Sequence, residues 1–526
     1  MSDSPPLSHA HHARRRASAD ELEPRLVPLA IDAARFRAIG HELVDRIAGC
    51  LETLPDRPVT TGEAPDVVRA ALRAEASLPE AGEDPAALVA SAADLLFTHS
   101  LFNGHPRFFG YITSSPAPIG VLGDFLAAAV NANVGAWTLS PVASEIEAQT
   151  VRWVADLVGY RPDGSGLLVS GGNMANFVGF LAARAAAADW DVRHDGLAAP
   201  AARRLAIYCS AETHTWVQKA ADLFGFGTAA IRWIDTDAAQ RLRVDALERA
   251  LDEDRAHGVR PLLVVGTAGT VSTGAIDPLR AIAEVCRRSG AWFHVDGAYG
   301  GFAAAAPGAS PEFAALAEAD SVAIDPHKWL YAPLEAGCLL ARSADVLRNA
   351  FAYHPPYYHF GVEATNYVDF GLQNSRGFRA LKVWLALRHA GRAGYARMIG
   401  DDIRLSERLF AAASAHPEIE AVTQSLSITT FRFVPVDLRA SASAPAVAAY
   451  LDTLNRALLA ATEREGRAFV SNAVVGGRFL LRACIVNMHT RASDVEALPE
   501  IVAAAGRQLD AHLRDAELRG GSATHL

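Results

Sequence analysis

The chain has 526 residues, half of them apolar, and a formal charge of −10. That length requires at least two packed regions, and no apolar run approaches a membrane span. The acidic balance argues against general nucleic-acid affinity, and the five scattered cysteines lack metal or disulfide spacing, which predicts buried free thiols in a cytoplasmic protein.

Residues 1–25 are rich in Ser, Pro and charge, with His9, His11, His12 and Arg14-Arg15-Arg16 clustered. They read as a disordered leader in preference to a metal or nucleic-acid tail, and without an apolar h-region no secretory signal is expected. Residues 26–113 show helical patterns broken by Pro55, Pro58, Pro65, Pro79 and Pro85, predicting an N-terminal helical segment. From 114 to 390 apolar strands (205–209, 229–234, 262–266, 292–296, 322–325 and 337–341) alternate with helices. The alternation predicts a large α/β domain with a mostly parallel sheet. Val244-Asp245 and Asp277-Pro278 look like capped helix starts. Residues 391–515 read as a small α+β domain with strands at 427–433 and 478–485, and 516–526 as a frayed tail.

Three segments carry chemistry. The apolar run Ser321–Ile324 leads into Asp325-Pro326-His327-Lys328-Trp329. An amine at the end of a core strand loses hydration and becomes nucleophilic, as a Schiff-base lysine requires; taken alone, Lys328 reads more readily as a surface lysine after a strand. Upstream, Trp292–Asp296 ends in a carboxylate followed by Gly297 and Ala298. An acid there can hold a proton on a heterocyclic nitrogen, and the small residues leave room for a flat ring; alone, Asp296 also fits a turn cap. Pyridoxal 5′-phosphate (PLP) enzymes need this pairing of lysine and acid. Finally, Gly166–Val169 runs into Ser170-Gly171-Gly172-Asn173-Met174 before a helical stretch. Such a turn aims backbone N–H groups at an anion, and it matches neither the dinucleotide fingerprint nor a P-loop.

Further motifs follow in order: Asn103–Tyr111, Ser140-Pro141 with Glu145-Ile146-Glu147, His214 in Ala211–His214, Thr267 in Gly266–Thr270, and Arg376 in Ser375–Lys382. Over about residues 30 to 510 the chain resembles the group II PLP-dependent amino-acid decarboxylases, the family of the aromatic-L-amino-acid, histidine and glutamate decarboxylases. The resemblance implies an aminotransferase-like (fold type I) architecture and a homodimer with sites at the subunit interface. By the same resemblance Lys328 binds the cofactor aldehyde and Asp296 the ring nitrogen. His214 covers one ring face and reaches the substrate carboxylate, Ala298 packs on the other face, and Thr267 touches the ring side. Gly172, Asn173 and Met174 contact the phosphate, with His327 nearby, and Ser114 contacts the substrate carboxyl group.

Two departures stand out. Aromatic-specific relatives commonly carry Asn where Asp325 stands, so a carboxylate is expected beside the phosphate. Ile112-Thr113-Ser114 replaces an aromatic and a proline, which leaves the side-chain preference open. The segment 351–367, with Tyr353, His354, Tyr357, Tyr358 and His359, looks like a catalytic loop. The resemblance makes Tyr357 the donor that protonates Cα after CO2 leaves, with Tyr358 the alternative. The expected activity is decarboxylation of an L-amino acid, with the aromatics Phe108, Phe109, Tyr111 and Trp137 favouring an aromatic side chain and Arg107 available for an acidic one. Acidic or diamino substrates, aldehyde-forming oxidative decarboxylation and a catalytically silent scaffold remain alternatives.

Overall fold

The computed structural model describes residues 27–199, 204–354 and 364–518. These form two compact units, 27–53 with 63–100, and 54–62 with 101–518. Among the described residues the first holds three helices, α1 (Ala33–Thr53), α2 (Pro65–Leu72) and α3 (Pro85–His99). α3 starts with proline after Asp84, whose side chain accepts from the N–H groups of Ala86 and Ala87.

The second unit opens with α4 (Pro118–Val130) and α5 (Pro141–Leu157). It continues with β1 (Ser165–Val169), α6 (Gly172–Ala187), β2 (Leu205–Ser210), α7 (Trp216–Leu223), β3 (Ile231–Ile234), α8 (Val244–Ala256) and β4 (Arg260–Thr267). Then come α9 (Leu279–Ser289), β5 (Trp292–Asp296), β6 (Ser321–Ile324), β7 (Gly337–Ala341) and α10 (Ala344–Phe351). The seven strands form one sheet in the order β1-β7-β6-β5-β4-β2-β3. All pairings are parallel except those of β7, which runs antiparallel to both β1 and β6. Successive residues point to opposite faces. Val264, Phe293, Val322 and Leu340 enter one apolar core, and Leu263, Val265, Trp292, Ala323 and Leu339 enter the other. Burial on both faces explains why these strands read as continuous apolar runs.

α11 (Ala380–Ala415), broken at Gly391, leads to a four-stranded antiparallel sheet of β8 (Ile419–Ser425), β9 (Ile428–Phe433), β10 (Ser471–Val475) and β11 (Arg478–Cys484) in the order β10-β11-β9-β8. α12 (Pro445–Glu465) and α13 (Ala492–Leu518) complete the fold. Among the described residues no helix is long and apolar enough to cross a membrane, and all five cysteines are buried free thiols.

β1 is an edge strand, and its outward polar groups are taken by side chains. Glu147 accepts from the Leu168 N–H at 2.9 Å, while Arg376 donates to the Leu168 carbonyl, to the Val134 carbonyl and to Glu147. This pair, buried and separated by 229 residues, substitutes for a missing strand and fixes the backbone that feeds Ser170–Gly172. Removing one partner strands the other charge, so Arg376→Met should cost about 3–5 kcal/mol. Urea denaturation checks this, and the double change with Glu147→Leu should recover part of the loss.

Candidate active site

The carboxyl ends of β4, β5 and β6 meet a cavity of about 620 Å³, where open α/β sheets place their ligands. β5 delivers Asp296 as its last residue. Both oxygens of this buried carboxylate are held: Trp216 Nε1 donates to Oδ2 at 2.8 Å, and the Ala298 N–H donates to Oδ1 at 3.2 Å. Trp216, buried at the start of α7, stands edge-on to His294. Burial lowers the His294 pKa to about 4, so the residue is neutral there, between Asn176 Oδ1 at 2.7 Å and Ser321 Oγ at 2.8 Å. The indole therefore orients Asp296 without cancelling its charge.

Lys328 does not end β6. The strand stops at Ile324, and Pro326 opens a single helical turn, Pro326–Trp329, that contains the lysine. Proline is favoured at a first helical position because its missing N–H would be unpaired there anyway. The turn is anchored from below. Trp329 and Tyr331 both donate to Asp402 Oδ2, at 2.9 and 2.6 Å, and burial pushes that carboxyl up to about 7. Trp329 also stacks on Tyr299 with 5.0 Å between ring centroids. Lys328 Nζ lies 2.9 Å from Asp325 Oδ2.

At the far side, Gly171 takes φ +145°, a conformation that only glycine adopts freely, and Gly172 opens α6. Asn173, His214, Thr267, Ala298 and His327 join them on the cavity wall. Burial lowers the His214 pKa, with the charge of Asp296 acting the other way. Burial also lowers that of His327, whose Nδ1 sits 2.7 Å from the Ala336 carbonyl. The Thr267 N–H donates to Asp277, which also accepts from the Leu242 N–H, both at 2.8 Å. Asp277 is thus a buried brace, pushed up to about 6 by desolvation, and not the helix cap its sequence position suggests.

Two buried polar atoms on this wall, Thr267 Oγ1 and Asp325 Oδ1, have no hydrogen-bond partner among the described residues. Buried polar groups are normally satisfied, so the cavity is built for a polar occupant. An amine for an aldehyde, an oriented carboxylate for a ring nitrogen and a glycine turn at a helix start fit PLP.

Other expected contacts are relocated. Ser114 Oγ donates to the His327 carbonyl at 2.8 Å and is absent from the cavity wall, so in this structure it braces the lysine turn. Met174 packs its side chain against the apolar core, leaving only its backbone for a phosphate. Phe109 is a core residue, and Phe108 stacks on Phe469. Arg107 is bonded to Asp494 at 3.1 Å and is not free for an acidic substrate. Tyr357, Tyr358 and His359 lie outside the described residues. Sequence reasoning missed Trp216, Asn176, Glu212 and Glu335. Asn176 follows Gly172 by one helical turn and shares its face, a signal that was available.

A family model for the pyridoxal-dependent decarboxylase conserved domain matches residues 67–434. The aromatic-L-amino-acid decarboxylase of Bacillus atrophaeus is 32% identical over 472 residues, covering 89% of this chain and 94% of the relative. A phenylacetaldehyde synthase of a Rosa hybrid cultivar is 28% identical, covering 88% and 92%. The structure of Oryza sativa TDC with PLP and tryptamine superposes with a TM-score of 0.84 at 28% identity, covering 92% of this chain and all of that one. Since the match extends through the segments that supply Lys328, Asp296 and His214, the chain belongs to the pyridoxal-dependent decarboxylase family and is a PLP-dependent carboxy-lyase.

Proposed function

We propose that this enzyme decarboxylates an L-amino acid with an aromatic side chain, releasing the amine and CO2. Similarity to aromatic-amino-acid, tryptophan and tyrosine decarboxylases carries the substrate class, and the charge of the cavity wall argues against an acidic side chain. Beyond the cofactor residues the wall presents Glu212 and Glu335 with the apolar Ile112, Val271 and Leu334, and among the described residues no arginine. An acidic side chain would be repelled there and left without a cation. Amine and CO2 release from a panel of aromatic, acidic and diamino acids tests it; preference for glutamate or ornithine would overturn the reading.

Bound PLP supplies an electron sink for the pair released when the carboxylate departs. The N–H groups at the start of α6 would hold its phosphate, and Lys328 would attach its aldehyde. Asp296, oriented by Trp216 and Ala298, holds the proton on the ring nitrogen. His214, whose pKa is lowered by desolvation, offers a flat ring; its Nδ1 accepts from the Trp216 N–H at 3.3 Å, which leaves Nε2 to orient the substrate carboxylate. Thr267 Oγ1 gives a hydrogen bond at the ring edge. These groups contribute orientation and fixed charge.

Tyr357 is assigned the proton delivered to Cα, which favours amine over aldehyde. Tyr357→Phe keeps the ring and removes the donor, so product should shift from amine to aldehyde, ammonia and peroxide, with substrate affinity within about twofold. Product analysis under oxygen checks this. Unchanged amine yield, with loss in Tyr358→Phe, would move the role one residue along.

The enzyme is proposed to act as a cytoplasmic homodimer. Leu122, Phe125, Leu126 and Val130 are exposed together on α4, an apolar face of the kind that marks an interface. Free buried thiols suit a reducing compartment. Sedimentation of the purified protein would read the dimer directly.

A further inference from the structure

Asp325 is an acid where the cofactor's anionic end is expected. Its carboxylate is 1% exposed. Oδ2 lies 2.9 Å from Lys328 Nζ and 3.8 Å from His327 Nε2, while Oδ1 is buried without a partner among the described residues. The same group packs on the first residue of α6: a Cβ placed on Gly172 would meet Asp325 Oδ2 at 2.6 Å and the Ala298 methyl at 3.0 Å. Any side chain at 172 would therefore displace the carboxylate or the Ala298 methyl. The acid stands between the amine that attaches the cofactor and the turn whose N–H groups face its phosphate.

Little on the cavity wall offsets that charge. His327 and His214 both feel Asp325, and burial lowers the proton affinity of each. The Cys338 thiol, also within its field, is held protonated by burial. Lys328 is the one lysine on the described wall, and no arginine lines it. In the protein without cofactor, Asp325 and Lys328 satisfy each other. Attachment of the aldehyde would tie Nζ to the cofactor and weaken that pair. The carboxylate is then left facing a phosphate with no dedicated cation.

We propose that Asp325 sets how firmly this enzyme retains PLP: it pairs with Lys328 in the empty site and opposes the phosphate in the loaded one. The consequence is a cofactor that exchanges with the free pool, so that activity follows PLP supply. This rests on reading Lys328 and Gly171–Met174 as the attachment and phosphate sites. An amide at 325 keeps the shape, removes the charge and offers an N–H to a phosphate oxygen.

The test separates the phosphate from the rest of the cofactor. Dissociation constants for PLP and for pyridoxal, which lacks the phosphate, are measured by equilibrium dialysis on the full chain, on Asp325→Asn and on Asp325→Ala. Loss of the Lys328 pair acts on both ligands alike; repulsion of the phosphate acts on PLP alone. The preference for PLP over pyridoxal should rise by about tenfold or more in Asp325→Asn, because two charges a few ångströms apart interact by several times RT even with partial screening. It should also rise, by less, in Asp325→Ala, which serves alone if the amide variant does not fold. A preference that is unchanged or reduced in the folded variants overturns the proposal. If neither the unaltered enzyme nor the folded Asp325 variants bind PLP better than pyridoxal, the phosphate site is misplaced, and the underlying reading fails before Asp325 is at issue.

Discussion

Replacing Lys328 with alanine should leave a folded protein whose decarboxylation falls at least about a thousandfold, a small part of the acceleration such enzymes reach. The chain has three lysines, and the structure separates them. Lys382 is buried and bonded to Asp124 at 3.0 Å, and Lys219 is exposed on α7. Only Lys328 lines the cavity. Its turn is fixed by Pro326 and by the Trp329–Asp402 bond, so loss of the amine does not loosen the backbone. Borohydride reduction of the loaded enzyme, followed by peptide mapping, should place the cofactor on the peptide containing Lys328. A label on Lys219 or Lys382 would sink the assignment, and so would substantial turnover by Lys328→Ala.

What could be read from the residues follows from burial. β5 and β6 are buried on both faces, so their apolar runs were plain, and Asp296 ends its strand as expected. β8 and β10 went unread. In β8 six of seven residues are only partly buried, among them Glu420, Thr423 and Gln424, and β10 is five residues beginning Ser-Asn. Short strands with polar, half-exposed residues carry no clear period. Side-chain partnerships were the other blind spot. Trp216 and Asp296 are 80 residues apart, and Glu147 and Arg376 are 229 apart; spacing along the chain says nothing about contacts created by the sheet order. Asp277 was misread for a related reason. Asp-Pro before a helix suggests a cap, but folding buries the carboxylate between the N–H groups of Thr267, at the end of β4, and Leu242, just before α8, which need an acceptor more than the helix does.

The Asp296→Asn enzyme should bind PLP more weakly and, even when saturated with it, decarboxylate slower by orders of magnitude. The carboxylate meets Trp216 Nε1 through one oxygen and the Ala298 N–H through the other. An amide can satisfy only one of these donors with its oxygen. Its NH2 must then face either a second N–H group, which is repulsive, or the ring nitrogen. Facing the ring, it donates a hydrogen bond where an acceptor was needed, and the nitrogen loses its proton. The charge-assisted bond itself is worth about 1.5–3 kcal/mol, which sets the loss in cofactor affinity. The loss in rate is larger, since an unprotonated ring accepts electron density from Cα poorly. Trp216→Phe gives a graded control: it removes one donor and keeps the charge, so its turnover should fall between the other two. Dialysis at saturating PLP separates the effects on binding and rate, and the 15N shift of labelled cofactor reads the ring proton directly. Near-normal turnover by Asp296→Asn, with the ring nitrogen still protonated, would mean that another acid holds that proton.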